Sequence, residues 1–290
     1  MKPWRSERIY RVQRAHNWRE LMRLQERFAS QGGTWIFRGQ GSDRWGLETS
    51  LERAVRIFNR AGVPVATLEG GLLRQFQRRA HHYLADIPPK TAWLEWLALM
   101  QHHGAPTRLL DWTYSFYVAL YFALEDADQS CAIWALDLDW VNKRLEDLLP
   151  ADAWEQVSKK DRNWEDPLTF QQVFARPKRH RIPLVCAVNP FRLNQRLSIQ
   201  QGVFLCTGDI SKPFEANLSA MFPKKRPDGQ LVKCIVTLNR RTRQDIIQRL
   251  FQMNMTRTSL FPGLDGFARS QALALALPRV LMPDASFPDA

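Results

Sequence analysis

The sequence predicts a single α+β domain with a mixed, partly split β-sheet flanked by helices. Three observations carry that prediction. Strand-like and helix-like segments are interspersed without regular βαβ alternation, which argues against a doubly wound sheet. Hydrophobic residues are 45% of the 290, with eleven Trp, ample for a sizeable core. No internal repeat or low-complexity linker divides the chain. The expected organisation is a basic arm over residues 1–16, one domain over 17–277, and a frayed Pro-containing tail over 278–290.

Taken in order, residues 1–16 are basic with little periodicity and read as an irregular lead-in. Asn17 and Glu20 have capping-box spacing, and Trp18, Leu21, Met22 and Phe28 mark one face of a helix that stops at Gly32-Gly33. Thr34–Gly39 is β-branched and aromatic and reads as a short strand. Its product is Arg38, a charge directly after an apolar run. A local acid such as Asp43 or Glu48 could pair with it, or the guanidinium could reach into a cleft, with Gly39 letting a ligand approach the backbone.

Leu47–Arg53 leads into a polar loop around Gly62 and Pro64. Thr67 caps a predicted helix with Leu72, Leu73, Phe76, Ala80 and Tyr83 or Leu84 inward, ended by Pro88-Pro89. Thr91 opens another, whose Trp93, Trp96, Leu97 and Met100 are core aromatics and aliphatics at helical spacing. Gly104 is its expected stop. Then follows the most polar break in the chain, Gln101, His102, His103, Thr107, Arg108, Asp111, Thr113 and Ser115, set before an apolar helix after Trp112. Such groups must be satisfied by one another, by backbone or by a ligand.

Beyond it, Cys131–Asp137 reads as a strand, and Asp139 as the cap of a helix through Leu149. Residues 151–180 read as broken helix. Strands are expected at Arg181–Val188, Ile199–Cys206 and Leu231–Leu238, and a helix within Lys212–Phe222. Thr242 and Asp245 have capping-box spacing before a helix with Ile246, Ile247, Leu250 and Phe251 inward. The ordered chain is expected to end near Thr258–Gly266 and a short Leu/Ala helix.

Composition narrows the function. No apolar run approaches the roughly 20 residues of a membrane span, and the first residues lack the apolar core of a signal peptide. The four cysteines, Cys131, Cys186, Cys206 and Cys234, stand apart in apolar segments without metal-ligand spacing, as in a reducing compartment. A cytoplasmic protein is expected. The pairs His81-His82 and His102-His103 point about 100° apart on a helix, so neither chelates one ion from one face, and no metal is expected. Net charge is +12, and 31 of the 41 basic residues are Arg. Clusters at Arg5–Arg14, Lys178–Arg181, Lys224–Arg226 and Arg240–Arg243 form either a solvated surface or a nucleic-acid-binding one.

Phe37-Arg38-Gly39-Gln40, Glu48–Arg53 and Gln101–Thr113 together resemble the bacterial FRG domain. Arg196 with Gln201–Phe204, and Ser259–Gly266, are similar to its closing motifs. A more distant resemblance is to ADP-ribosyltransferases. There an aromatic-Arg-Gly strand contacts NAD, as Phe37-Arg38-Gly39 would here. A Ser-Thr-Ser strand precedes a helix, as Trp112–Ser115 precedes Ala119–Phe122, and a late loop carries a catalytic Glu. That resemblance implies NAD as substrate or ligand, with Arg38, Gly39, Gln40, His103, Thr107, Arg108, Thr113, Ser115 and Gln200 around it. Gln201 or Asp111, with Arg38, would then be catalytic. The sequence departs at the decisive place, because Gln201 can hydrogen-bond a ribose hydroxyl but supplies no negative charge. A toxin or phage-defence effector is the role such a resemblance suggests, and a non-catalytic nucleotide- or nucleic-acid-binding module is its alternative.

Overall fold

Seven strands lie side by side: β1 (Arg11–Ala15), β2 (Trp35–Gln40), β3 (Leu109–Thr113), β4 (Ser130–Asp137), β5 (Val185–Val188), β6 (Gly202–Thr207) and β7 (Leu231–Thr237). Their order is β1-β7-β4-β2-β3-β6-β5, in one mixed sheet. The β1–β7 pair is parallel and every other pair is antiparallel. This is a computed structural model, and it describes residues 9–59, 61–151, 153–154, 170, 173–175, 177–192, 194–222 and 229–276.

Pairing is uneven across the sheet. All of β2 pairs with β4, from Trp35 opposite Asp137 to Gln40 opposite Ala132. Between β2 and β3 only Phe37 and Thr113 are paired. The expected partly split sheet is therefore one sheet whose two middle strands separate on either side of a single residue pair.

Helices cover both faces: α1 (Trp18–Ser30), α2 (Ser50–Phe58), α3 (Val65–Arg79), α4 (Trp93–His102), α5 (Phe116–Glu125), α6 (Leu138–Leu148), α7 (Gln195–Ile199), α8 (Phe214–Met221), α9 (Arg240–Gln252), α10 (Arg257–Leu260) and α11 (Leu264–Ala276). Successive strand residues point to opposite faces. Phe37 and Ile133 accordingly enter a core with Phe28, Phe116, Ala119 and Ile246. Their neighbours Ile36 and Trp134 enter a larger core with Leu73, Leu97, Val141 and Phe214. Gly39 is where helix and sheet touch. A Cβ there would collide with the Ala119 carbonyl oxygen and lie 2.6 Å from the Ala123 nitrogen, so α5 can cross β2 only over a glycine.

Several local expectations are corrected. Residues 11–15, expected within the irregular arm, form an edge strand, because the partner that orders them is β7, more than two hundred residues away. The stretch after Leu47 is helix α2, held by a capping box in which Thr49 accepts from the Glu52 N–H and Glu52 accepts from the Thr49 N–H. Helix α3 starts behind Pro64, two residues before Thr67, and α4 starts at Trp93 without a side-chain cap. Asp137, not Asp139, caps α6, because Asp139 accepts the Thr34 N–H at 3.0 Å. Asn239, not Thr242, caps α9, and Thr242 instead donates its N–H to Asn239.

The polar break contains a buried strand, β3, and the Ile199–Cys206 strand shortens to β6 because α7 occupies the residues before it. Arg181–Val188 narrows to β5. Most of residues 151–180 and the tail after 276 lie outside the described residues. No helix among the described residues is long and apolar enough to cross a membrane.

Candidate functional site

Where β2 and β3 part, a cleft of about 840 Å³ opens, lined by Arg38, Asp111, Thr113, Arg196, Gln200 and the loop after Gln40. The parting explains the chemistry. Past the Phe37–Thr113 pair the Asp111 carbonyl has no β2 ladder donor, and Arg38 supplies one through Nη1 at 2.7 Å. The Arg38 side chain is only 18% exposed, its nearest carboxylate oxygen, on Asp111, is 4.0 Å away, and its Nε has no partner. Burial pulls its pKa down from the usual guanidinium range, Asp111 pushes it back, and Arg53 adds to the depression. Trp112, also lining the cleft, has a buried indole N–H without a partner. Arg38 is thus a largely buried cation with donors in reserve, which is an arrangement that suits an anionic ligand.

Asp111 is the exposed residue of β3, between buried Leu110 and Trp112. Gln101, at the end of α4, donates Nε2 to Asp111 Oδ2 at 2.7 Å, and Gln101 Oε1 accepts from Thr107 Oγ1 at 2.6 Å. Thr107 in turn receives the Ser50 hydroxyl on its carbonyl at 3.3 Å. The polar break therefore resolves into a chain of bonds that fixes one oxygen of Asp111 and leaves the other, Oδ1, without a hydrogen bond among the described residues.

Other residues expected in the site are divided. Gln40 lines the cleft, but its amide is spent on structure, donating to Gly46 O at 2.8 Å and accepting from Trp134 Nε1 at 2.7 Å. Gly39 lines it too, although its close approach is to α5. Thr113 donates to Gln200 O at 2.6 Å and accepts the Ser115 N–H at 3.0 Å, tying β3 to the turn before β6. Gln200 stays at the wall with Nε2 on Leu260 O at 2.9 Å. Ser115 is the N-cap of α5, accepting from Val118 at 3.3 Å.

Four residues fall elsewhere. Arg108 is buried in an ion pair with Glu69 of α3 and also donates to the carbonyls of Phe174 and Thr207, at 2.8 and 3.4 Å. Thr107 is fully buried behind the site. His103 lines a separate apolar groove between α3 and α4 with Phe76, Tyr83 and Met100. Gln201 is exposed, in the left-handed region at φ 49°, with its carbonyl on the Tyr114 N–H, and does not line the cleft. A turn between α7 and β6 needs that conformation, and it turns the side chain out to solvent.

Residues absent from the expected set complete the walls. Glu48 accepts both Arg56 Nε and Nη2, at 3.2 and 3.1 Å, and Arg53 donates to its carbonyl at 2.9 Å. Arg44 and the half-exposed Trp45 stand at the rim. Arg196 lies one helical turn before Gln200, the C-cap of α7, an i, i+4 spacing that puts both on one side. Of the basic clusters, Arg11, Arg14, Arg240 and Arg241 are exposed, while Arg243 is tied to the carbonyls of Ala127 and Leu124. Arg5, Arg8 and Lys224–Arg226 lie outside the described residues.

The family model of the FRG domain matches residues 33–131. That span holds β2, β3 and the residues of the Arg38–Asp111 pair, and leaves Arg196, Gln200 and Gln201 outside. No curated protein and no solved structure matches the chain.

Proposed function

We propose that the cleft binds a phosphate-bearing nucleotide of the NAD class, with Arg38 on phosphate, and that the protein transfers or hydrolyses ADP-ribose. The observation that carries this reading is the Arg38–Asp111 arrangement: a buried guanidinium with unused donors beside a carboxylate held in place by Gln101. In the proposed reaction the C1′–N bond to nicotinamide breaks and its electron pair leaves with nicotinamide. Positive charge builds on the ribose, where the free oxygen of Asp111 stabilises it. The acceptor O–H then attacks C1′ and gives its proton to Asp111. In this scheme Asp111, one of the two candidates with Gln201, takes the ribose-stabilising part. The exposed arginines on β1 and α9 favour nucleic acid among possible acceptors.

A second reading is a nucleotide-binding module without turnover. It is favoured by the engagement of Asp111 Oδ2, which leaves the carboxylate one free oxygen for both hydroxyl orientation and proton acceptance.

Incubation with NAD, with free nicotinamide followed by chromatography, separates these readings. Turnover predicts release by the wild type and Gln201→Ala, and none by Arg38→Ala or Asp111→Asn. Absence of release with a thermal shift by ADP-ribose, lost in Arg38→Ala, selects the binding module. Neither signal from a folded protein overturns both.

A further inference from the structure

We infer that Arg196 is a second anion-binding residue of the cleft, held by Phe261, and that with Arg38 it selects a ligand with two linked phosphates over one with a single phosphate. The inference rests on the reading of the cleft as a nucleotide site. Arg196 projects from α7 into the same cleft as Arg38. It is partly buried, yet its guanidinium makes no hydrogen bond among the described residues; its contact is with the Phe261 ring, 4.3 Å from the centroid. A partly desolvated cation with five unused N–H donors is costly, and a cation–π contact offsets only part of that cost. Burial lowers its pKa and Asp111 opposes the shift, so the same carboxylate is felt by both arginines. One carboxylate facing two guanidiniums leaves positive charge in excess, and a diphosphate offers each guanidinium its own phosphoryl group.

Phe261 is built to hold this position. Phe122 meets it edge-on at 5.7 Å, and a second guanidinium, that of Arg257, lies 4.3 Å from its centroid and is anchored on Glu125. Gly266 packs beneath it so closely that a Cβ there would collide with the Phe261 carbonyl oxygen. Phe261 is therefore a positioning residue, acting through Arg196.

The test is calorimetric titration of the full chain with ADP and with AMP, which differ by one phosphate. The wild type should prefer ADP. Arg196→Ala should weaken ADP by about 10- to 100-fold and AMP by less than about threefold, since one charge-assisted contact is lost. Phe261→Leu should move ADP in the same direction by less, and Phe261→Tyr, which keeps the ring face, should restore it. Melting curves identify any variant that fails to fold, and Arg196→Lys, which keeps the charge without the planar fork, then serves in its place and should show an intermediate loss. Equal loss for both nucleotides, or no loss for either, overturns the role of Arg196, while Arg38→Ala, still weakening both nucleotides, leaves the cleft reading intact. No binding of either nucleotide to the wild type overturns the reading and the inference together.

Discussion

Two arginines from the same pair of motifs have opposite fates. Arg108 sits in the larger core with almost every donor used: a two-point contact with Glu69 and the carbonyls of Phe174 and Thr207. Burial opposes its charge, but Glu69 more than compensates, and its pKa is raised. Arg38 is part-buried, with one backbone carbonyl, a carboxylate at 4.0 Å and a buried, unpartnered Nε, and its pKa is lowered. A buried charge that is fully paired is spent on the fold, whereas a buried charge left short of partners is available for something else. The difference gives Arg108 to architecture and leaves Arg38 free for the binding role proposed for it.

Removing one partner of the paired charge is the largest test. Arg108→Met leaves the Glu69 carboxylate buried and alone, and should cost about 3–5 kcal/mol of stability. Denaturant melts of Arg108→Met and of Arg108→Met with Glu69→Leu would measure it, and the double variant should regain much of the loss. A single variant within 1 kcal/mol of wild type (a threshold of about one ordinary hydrogen bond) would erase the contrast. Arg38→Ala should behave in the opposite way. Only one backbone bond is lost, so stability should fall by about 1 kcal/mol, while nucleotide affinity, measured by titration, should drop about 30- to 100-fold.

The sequence could read Arg38 but not Arg108, and the reason is physical. Arg38 follows a β-branched and aromatic run whose period is local, so its place at a strand was legible. The partner of Arg108, Glu69, is thirty-nine residues away on α3, and no local pattern announces the pair. Residue pattern alone missed β3 for a related reason, and the resemblance placed a strand only at Trp112–Ser115: β3 is five residues long and buried except at Asp111, and most of its ladder is with β6. Gln201 looked suited to a ribose by its chemistry and place in the chain, but the backbone turn that aims the side chain outward is invisible until α7 and β6 are in place. Capping was legible at Asn17 and available at Thr49–Glu52, whereas at α6 the bond from the distant Thr34 occupies Asp139 and leaves the cap to Asp137.

A part-buried acid with no ion-pair partner among the described residues extends the comparison. Glu52 accepts the Phe214 N–H at 2.7 Å as well as its own cap, yet burial first, and then Glu48 and Glu215, raise its pKa to about 7. Folded protein therefore keeps a proton that the unfolded chain loses near pH 4.5. Its contribution to stability is full below that pH, falls as pH rises toward 7 and is flat above, by roughly 2 kcal/mol in all. His102, whose pKa is lowered by burial, contributes a slope of opposite sign. The quantity to measure is thus the difference between wild type and Glu52→Gln across pH 4.5 to 8. A difference independent of pH would mean that the fold already accommodates the Glu52 charge.

The smallest effect belongs to Gln201. An L-residue in the left-handed region carries roughly 1 kcal/mol of strain, which glycine does not, while glycine adds a few tenths of a kcal/mol of chain entropy to the unfolded state. Gln201→Gly should therefore stabilise the protein by about 0.5 kcal/mol, read as a small rise in melting temperature. Because the side chain lies outside the cleft, ADP affinity should stay within about twofold of wild type, a change worth under 0.5 kcal/mol. The two readouts discriminate sharply: a residue that binds ribose would lose affinity on becoming glycine, whatever happened to stability. A variant that melts higher but binds tenfold more weakly would return Gln201 to the site and make its strained backbone part of how the site is aimed.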